Sequence, residues 1–505
     1  MNKKAISILA ALICVASVSQ AQYIEDAMRV SQPDNGSTAR FKAMGNVGTA
    51  LGGDLSSITG NPAGLGFFNT SDAGLTLNYF NDKNTSNYYG TSNSSSTDKF
   101  TISQAGVVFN MPLHYRGNRP TSGWLNFNIG IGYSRTNDFN TQINFNGENN
   151  NSSYTNLLAE SASVDPVFDE WGIDSWLLDF NPDNNSYYPS ASESLTNDQA
   201  NTDAQKGSQN QTNFSFGANY NNSFYIGASI GLANFNYESR RRFDELGDLK
   251  TAAEFNAVDP GSVFLDPANA DLLGAPYELS FSSIQKTNGT GFNGTLGVIF
   301  KPDRMFQVGL SATTPTWYTV TDDYSMTFDS WIDPTSGEPT LEYHPDEELY
   351  YDEYDLRTPY RLNAGIAAIF EEGLISADIE YVDYTSMKIT SNNFTNDSES
   401  ADIISNDYKG TANLKLGGEY RFSPSLLVRA GYNYRGNPYK NISSTKQTVS
   451  AGLGYRISNM YIDLTYMNES YDFSYTPYQS AEFPVNNATV KNVRNNALLT
   501  VGFKF

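Results

Sequence analysis

The final residues of the chain alternate between apolar and polar in strict order. Ala497, Leu499, Val501, Phe503 and Phe505 share one face, and Leu498, Thr500, Gly502 and Lys504 share the other. Successive side chains of a β-strand point to opposite sides, so this strand separates two unlike surroundings. The same period of two recurs upstream. Val449, Ala451, Leu453, Tyr455 and Ile457 alternate with Thr448, Ser450, Gly452, Gly454 and Arg456. Val428, Ala430, Tyr432 and Tyr434 alternate with Arg429, Gly431, Asn433 and Arg435, and Leu414, Leu416, Gly418, Tyr420 and Phe422 with Lys415, Gly417, Glu419 and Arg421. A soluble β-sandwich alternates too, so single strands decide nothing.

The connections decide more. Strands are expected near 73–81, 99–110, 124–136, 212–220, 223–239, 277–300, 304–329, 358–370, 373–391, 409–422, 425–434, 446–457, 459–475 and 494–505. After a first inner connection at about 111–123, every second link is short: Asn221-Asn222, Lys301-Pro302-Asp303, Glu371-Glu372, Ser423-Pro424 and Ser458-Asn459. The alternate links are expected to be longer and polar, including about 137–211 and 240–276. Short turns on one side and long loops on the other are the habit of an outer-membrane barrel. The expected fold is therefore all-β, a fourteen-stranded antiparallel transmembrane β-barrel.

The other end points to the same compartment. Lys3 and Lys4, the apolar run Ala5 to Val18, and Ser19-Gln20-Ala21 before Gln22 read as a secretory signal peptide over 1–21. Lipidation at Cys14 is the competing reading, and the bulk of Ile13 upstream argues against it. Cys14 is the only cysteine, so cleavage would leave no disulfide framework. No later segment has the roughly 18 consecutive apolar residues a spanning helix needs. A closed barrel requires no such run, because its strands satisfy one another. Aromatics make up 13% of the chain, enough to furnish interfacial girdles. The formal charge of −23 argues against a nucleic-acid partner.

The stretch 22–72 is unlike the rest. It lacks alternation and is rich in small residues, among them Gly45, Gly48, Gly52, Gly53, Gly60, Gly64 and Gly66. Thr38 to Leu51 is expected to form one short helix with Ala39, Met44, Val47 and Leu51 on its apolar side. The segment is too small to own a core, so it is expected to pack inside the barrel 73–505 as a hatch.

Ala39-Arg40-Phe41-Lys42-Ala43-Met44-Gly45, Ala50-Leu51-Gly52-Gly53-Asp54 and Asn61-Pro62-Ala63-Gly64-Leu65 together resemble the hatch of FadL-type transporters. Those are fourteen-stranded outer-membrane barrels for long-chain fatty acids and aromatic hydrocarbons. Arg357 to Leu362 with Ser376 to Tyr381, and Leu416 to Tyr420 with Val428 to Tyr432, resemble hairpins of the same family. A chain ending on an aromatic, as at Phe505, resembles the C-terminal recognition signal of outer-membrane barrels. The resemblance implies passive transport of hydrophobic compounds: a ligand adsorbs among the outer loops, enters the lumen and leaves sideways through the wall. It implies a monomer among outer-membrane lipids and lipopolysaccharide, with a hydrophobic small molecule or lipid as ligand. No cofactor and no metal are called for. The long loop near 137–211 and the acidic loop near 330–357 depart from the family.

Asn61, Pro62, Ala63 and Gly64 are the candidate gating element. Pro fixes φ and Gly admits unusual angles, so the tetrapeptide suits a tight turn. Arg361, Lys415, Arg421, Arg429 and Arg456 are candidate lumen cations for a ligand carboxylate, alongside Asp378, Glu380, Glu419 and Arg435. Their bland reading is cross-strand pairing, with Glu419 facing Arg429. Asp346, Glu347, Glu348, Asp352, Glu353 and Asp355, with Asp322 and Asp323, read as a solvated acidic loop rather than a cation site.

His114 and His344, the only histidines, are expected in an inner turn and an outer loop. A barrel hydrolase needs a histidine beside a nucleophile on its strands, so the chain reads as a transporter and not an enzyme. An interaction protein of the same fold, using the long loop to dock in secretion or assembly, is the alternative. A general porin is third, and the hatch argues against it. Replacing His114 and His344 together is expected to leave transport intact. A hydrolytic activity lost in that double variant would reverse the reading.

Overall fold

A computed structural model describes residues 23–505, apart from 35, 116, 392–396, 443, 479, 481–482 and 484. The leader 1–21 and its cleavage site lie outside the described residues. The wall is one antiparallel sheet closed on itself. Its fourteen staves, labelled here in order, are β1 Asp72–Tyr88, β2 Thr91–Pro112, β3 Trp124–Asp138 continuing as Thr141–Asn149, β4 Asn197–Tyr220, β5 Phe224–Asp248 and β6 Pro276–Phe300. There follow β7 Phe306–Thr313 with Trp317–Ile332, β8 Glu348–Arg357 with Arg361–Phe370, and β9 Gly373–Asp383 with Lys388–Ser391. The last are β10 Gly410–Arg421, β11 Leu426–Arg435, β12 Lys446–Ile457, β13 Met460–Tyr475 and β14 Ala488–Lys504. Closure is the β1–β14 ladder, from Asp72 opposite Lys504 to Asn87 opposite Thr489.

Alternation places side chains as expected at the C-terminus. Leu499, Val501, Phe503 and Phe505 are exposed outward, while Leu498 and Thr500 are buried inward. Phe300, Phe306, Phe370, Phe422 and Phe505 crowd the inner-turn end of the apolar outer band, where an aromatic girdle belongs. The Glu419–Arg429 pairing is as expected too.

The strands run further outward than the alternation suggested. A membrane crossing takes about 9–11 residues, yet β5 has 25. Residues 82–98, expected as a loop, are mostly ladder, and only Tyr89 and Gly90 turn between β1 and β2. The polar, Ser- and Asn-rich outer half of this hairpin stands clear of lipid and so lacks the apolar face that marks a strand. The expected loop 137–211 shrinks to 150–196 for the same reason. The acidic stretch is corrected likewise: Glu348 to Asp355 lie in β8, with Asp352 opposite Asp322. Their carboxylates are split between the two faces, Asp322 and Asp352 inward and Glu353 and Asp355 outward.

The loops 150–196 and 249–275 are folded. Helices Tyr154–Ala162, Pro166–Asp174 and Ala252–Val258 pack with a hairpin, Leu178–Asn181 and Ser186–Pro189, over the outer rim. Trp171 is fully buried and stacked on Phe328 at 5.4 Å between ring centroids. Leu158, Phe243, Phe264, Tyr277 and Tyr478 complete this outer core. The Trp171→Ala variant is expected to cost the cap about 3–5 kcal/mol. Limited proteolysis should then cut within 150–196 while the barrel keeps its heat-resistant electrophoretic mobility.

Candidate functional site

The N-terminal segment fills the lumen at two levels. Lower down it is a thread of short helical turns. Thr38 caps a helix over Ala39–Ala43, and Gly45 and Asn46, both at positive φ, end it. The helix is thus much shorter than the expected 38–51, because apolar spacing cannot show where the backbone turns left-handed. Two 3-10 turns follow, Leu55–Ile58 and Pro62–Phe67.

Wall side chains hold this thread by its backbone. The Ala39 amide donates to Thr500 Oγ1 (2.8 Å), and Thr465 Oγ1 donates to the Ala39 carbonyl (2.6 Å). Ser450 Oγ donates to the Ala43 carbonyl (2.9 Å), Ser215 Oγ to that of Ile58 (2.6 Å) and Asn128 Nδ2 to that of Leu65 (2.5 Å). Asp378 accepts from the amides of Gly48 (2.8 Å) and Thr49 (2.9 Å). Inward glycines admit the contact. A Cβ at Gly309 would strike the Thr49 carbonyl, and one at Gly431 would strike the Gly45 amide.

Asn61 is the pivot of the candidate gate. Its side-chain amide donates to the Thr49 carbonyl (2.7 Å) and reaches Val298 and Leu310 carbonyls (both 3.3 Å), while its Oδ1 accepts from the Ala63 amide (3.1 Å). One residue therefore ties the hatch to itself and to β6 and β7. Pro62 opens the 3-10 turn, where its missing N–H is harmless. Gly64 is corrected: it does not adopt a positive φ, and it is small because Ser57 Oγ packs against it.

The lumen cations are engaged. Arg429, fully buried, reaches Glu419 (2.6 Å) and Asp463 (2.7 Å). Glu419 also takes Arg40 of the hatch (2.9 Å), and Asp463 also takes Arg456 (2.9 Å). Lys415 lies 3.6 Å from Glu380. Arg361 donates to the carbonyls of Ser31 (2.7 Å) and Pro33 (3.0 Å). Arg421, on the same face of β10 as Lys415 and Glu419, ends the strand exposed beside an inner turn. Sequence reasoning missed Asp34, which bridges Lys42 (2.5 Å) and Arg435 (2.9 Å). Burial opposes its ionisation, but the two cations win and hold its carboxyl below the usual range.

Above the thread a helix over residues 23–30 lies in an apolar, tyrosine-rich shell. Tyr23, Ile24, Ala27 and Met28 pack with Phe139, Phe235, Tyr318, Tyr354, Tyr384 and Met387. Arg29 stands over the Tyr237 ring, 3.7 Å from its centroid. Beside this shell the wall parts. The β2–β3 ladder runs from Pro112–Asn126 only to Gln104–Ser134. Beyond it, among the described residues, β3 is laddered to β4 and not to β2, and bonds that involve side chains, such as Lys99 to Asn140 (2.6 Å) and Asn93 to Asn146 (2.7 Å), span the gap. A pocket of about 590 Å³ occupies the parting, lined by Phe100, Ile102, Tyr133 and Arg135 and reaching Tyr237.

A closed fourteen-strand barrel with an N-terminal thread of this kind has known relatives. The model of the outer membrane protein transport proteins (OMPP1/FadL/TodX) matches residues 27–498. This chain belongs to that family. A Pseudomonas aeruginosa FadL homologue superposes on the FadL-type chain with a TM-score of 0.54 at 13% identity, covering 93% of this chain and 98% of the other. The P. putida toluene transporter TodX gives 0.51 at 15%, covering 93% and 99%. At such identities they show a shared fold. No curated protein sequence matches. The FadL-type chain is an outer-membrane barrel, and its family is one of transport channels for hydrophobic compounds rather than enzymes. His114 lies exposed in the inner connection, and His344 lies outside, 2.6 Å from Asp329.

Removing Arg429 from the charge chain with Arg429→Ala leaves two buried carboxylates short of a partner, at an expected cost of roughly 3–5 kcal/mol. Arg456→Ala, at the exposed end, should cost under about 1 kcal/mol. Urea midpoints of the refolded barrels compare them, and equal losses would show that no central residue carries the chain.

Proposed function

We propose that the chain passes neutral hydrophobic molecules inward, through the outer cap to the tyrosine-rich shell and out sideways where β2 leaves β3. The observation that carries this reading is the pocket at that parting, whose lining includes outward Phe100 and Ile102 together with Tyr237, the ring that Arg29 of the helix 23–30 stands over. An apolar molecule leaving there enters lipid without crossing an aqueous channel. In this reading residues 1–21 are a removed leader, and residues 23–71 are the hatch, with Asn61, Pro62, Ala63 and Gly64 as its pivot.

The lumen charges favour an uncharged substrate. Lys415, Arg429 and Arg456 face protein carboxylates, Arg361 is occupied by hatch carbonyls, and Arg421 stands exposed at the inner-turn end of β10, far from the outer shell. A fatty-acid carboxylate would have to displace one of these partners. Aromatic or aliphatic hydrocarbons need none. The docking alternative draws on one observation, the folded cap over 150–196 packed on the outer ends of the staves.

Uptake by cells devoid of other such channels separates the readings. Labelled toluene should enter faster with the full chain than without it, and labelled oleate should not. Oleate uptake abolished by Arg361→Gln would overturn the preference for neutral substrates, and no uptake of either would favour docking. Deleting residues 23–70 should leave a folded barrel of steady, large conductance in a planar bilayer, with hydrocarbon uptake reduced. A truncated barrel as tight as the full chain would remove the hatch from the mechanism.

A further inference from the structure

The outer wall carries a second groove, on the opposite side of β4 from the parting. In β7, Pro315 interrupts the stave, and residues 314–316 stand opposite only 293–294 of β6. In β8, Pro359 interrupts the next stave at the same level, and in β9 the turn Tyr384–Ser386 interrupts a third. Proline removes a ladder donor, so each break must be repaired from elsewhere. Threonines do so: Thr314 Oγ1 accepts from the Gly294 amide (3.0 Å), and Thr358 Oγ1 accepts from that of Thr316 (2.9 Å). The wall stays closed but steps, and the step leaves an outward-open groove of about 830 Å³.

The two ends of this groove differ in chemistry. One end is Phe214, Leu232, Phe292 and Trp317, all exposed on the outer face. The other is Arg357 and Lys388, exposed and directly opposite each other across β8 and β9. Neighbours on successive staves climb along this row. Phe292 sits closer along its strand to an inner turn than Lys388 does along its own. The aromatic end therefore meets the upper edge of the lipid band and the cationic end stands above it.

Like charges directly opposite each other destabilise a sheet, and among the described residues neither cation has an acidic partner within salt-bridge distance. Arg357 donates only to the Ser386 carbonyl (3.2 Å). The nearest outward anions on these staves are Asp355, engaged by Thr319 Oγ1 (3.0 Å), and Glu353 beyond it; Asp383 is spent on the amide and hydroxyl of Thr385. In a chain with an excess of acidic residues, an unanswered pair of cations calls for an anion from outside. Guanidinium and ammonium groups together suit a phosphate.

We propose that this groove is a binding site for a phosphorylated glycolipid of the outer leaflet, with phosphate between Arg357 and Lys388 and an acyl chain along Trp317, Phe292 and Leu232. The phosphate end and the aromatic end of the site both face outward. It fixes one lipid against the staves whose ladders are broken, and so braces the stepped wall from the membrane side.

Native mass spectrometry of the full chain in detergent, titrated with purified bis-phosphorylated lipid A, tests this. One lipid should bind per barrel. Arg357→Gln with Lys388→Gln should weaken binding by about tenfold or more, as should removing the phosphates from the lipid. The charge-keeping pair Arg357→Lys with Lys388→Arg should retain it, and Arg240→Gln with Arg242→Gln, at cations already paired with Glu238 and Asp244, should not change it. Heat-modifiable mobility certifies that each variant is folded; should the double glutamine variant fail, Lys388→Gln alone replaces it, with a smaller loss expected. Binding unaffected by either phosphate or cation removal would overturn the proposal. So would displacement of the lipid by an equal concentration of inorganic phosphate, which would make the site one for free anions.

Discussion

Lipid offers no hydrogen bonds, so every backbone group in the wall must find its partner in the wall. The ladder between β1 and β14 meets that demand by joining the ends of the sheet. Closure at fourteen staves has a consequence for the interior. Eight strands leave a lumen that side chains can just fill, and sixteen or more leave an aqueous channel. Fourteen lies toward the open end, and side chains alone do not fill it. The N-terminal thread occupies the space, and its own backbone then meets the same demand one layer further in.

The thread meets it by borrowing. It has almost no regular structure beyond one five-residue helix and two 3-10 turns below the helix 23–30. Its carbonyls and amides are answered by Thr465, Thr500, Ser450, Ser215, Asn128 and Asp378, contributed by staves all around the barrel. Gly309 and Gly431 allow the backbone itself to touch the wall. The polar inner face of the strands is therefore a receptor for a particular chain. Arg40 joins the thread to the wall's charge chain through Glu419, and Arg361 joins the wall to the thread through two carbonyls. Any movement of the thread must exchange these bonds for others.

The sequence made the barrel legible because lipid and lumen impose opposite demands on neighbouring residues. Where those demands lapse, legibility lapses. The outer halves of β1 and β2 are polar on both faces, and they read as loop although they are ladder. The acidic residues from Glu348 to Asp355 misled for the same reason, since charge density says nothing of pairing. Within the hatch, the tetrapeptide at Asn61 stood out, but its tie to three carbonyls is a tertiary fact. The pairing of Glu419 with Arg429 followed from one short turn at Ser423-Pro424. Arg40 and Asp463, its further partners, come from distant parts of the chain, and no local spacing joins them.

Two departures from a regular wall remain, and they differ in how the lost ladder is replaced. Between β2 and β3 the missing backbone bonds are replaced by bridges that each involve a side chain, such as Lys99 to Asn140, Asn93 to Asn146 and Ser95 Oγ to the Gln142 carbonyl. At the proline step of β7 and β8 threonine hydroxyls add to backbone bonds that remain, the Thr314 amide to the Gly294 carbonyl (2.9 Å) and the Thr358 amide to the Thr316 carbonyl (3.0 Å). A bridge of rotatable side chains can part at the cost of a few solvent-accessible hydrogen bonds, whereas a threonine stitch cannot part without exposing backbone groups to lipid. The first arrangement suits a place where molecules pass, and the second a place where the wall must bend and stay shut. That difference in stiffness, set by whether backbone bonds remain across the break, is why the parting and not the step is assigned the lateral route.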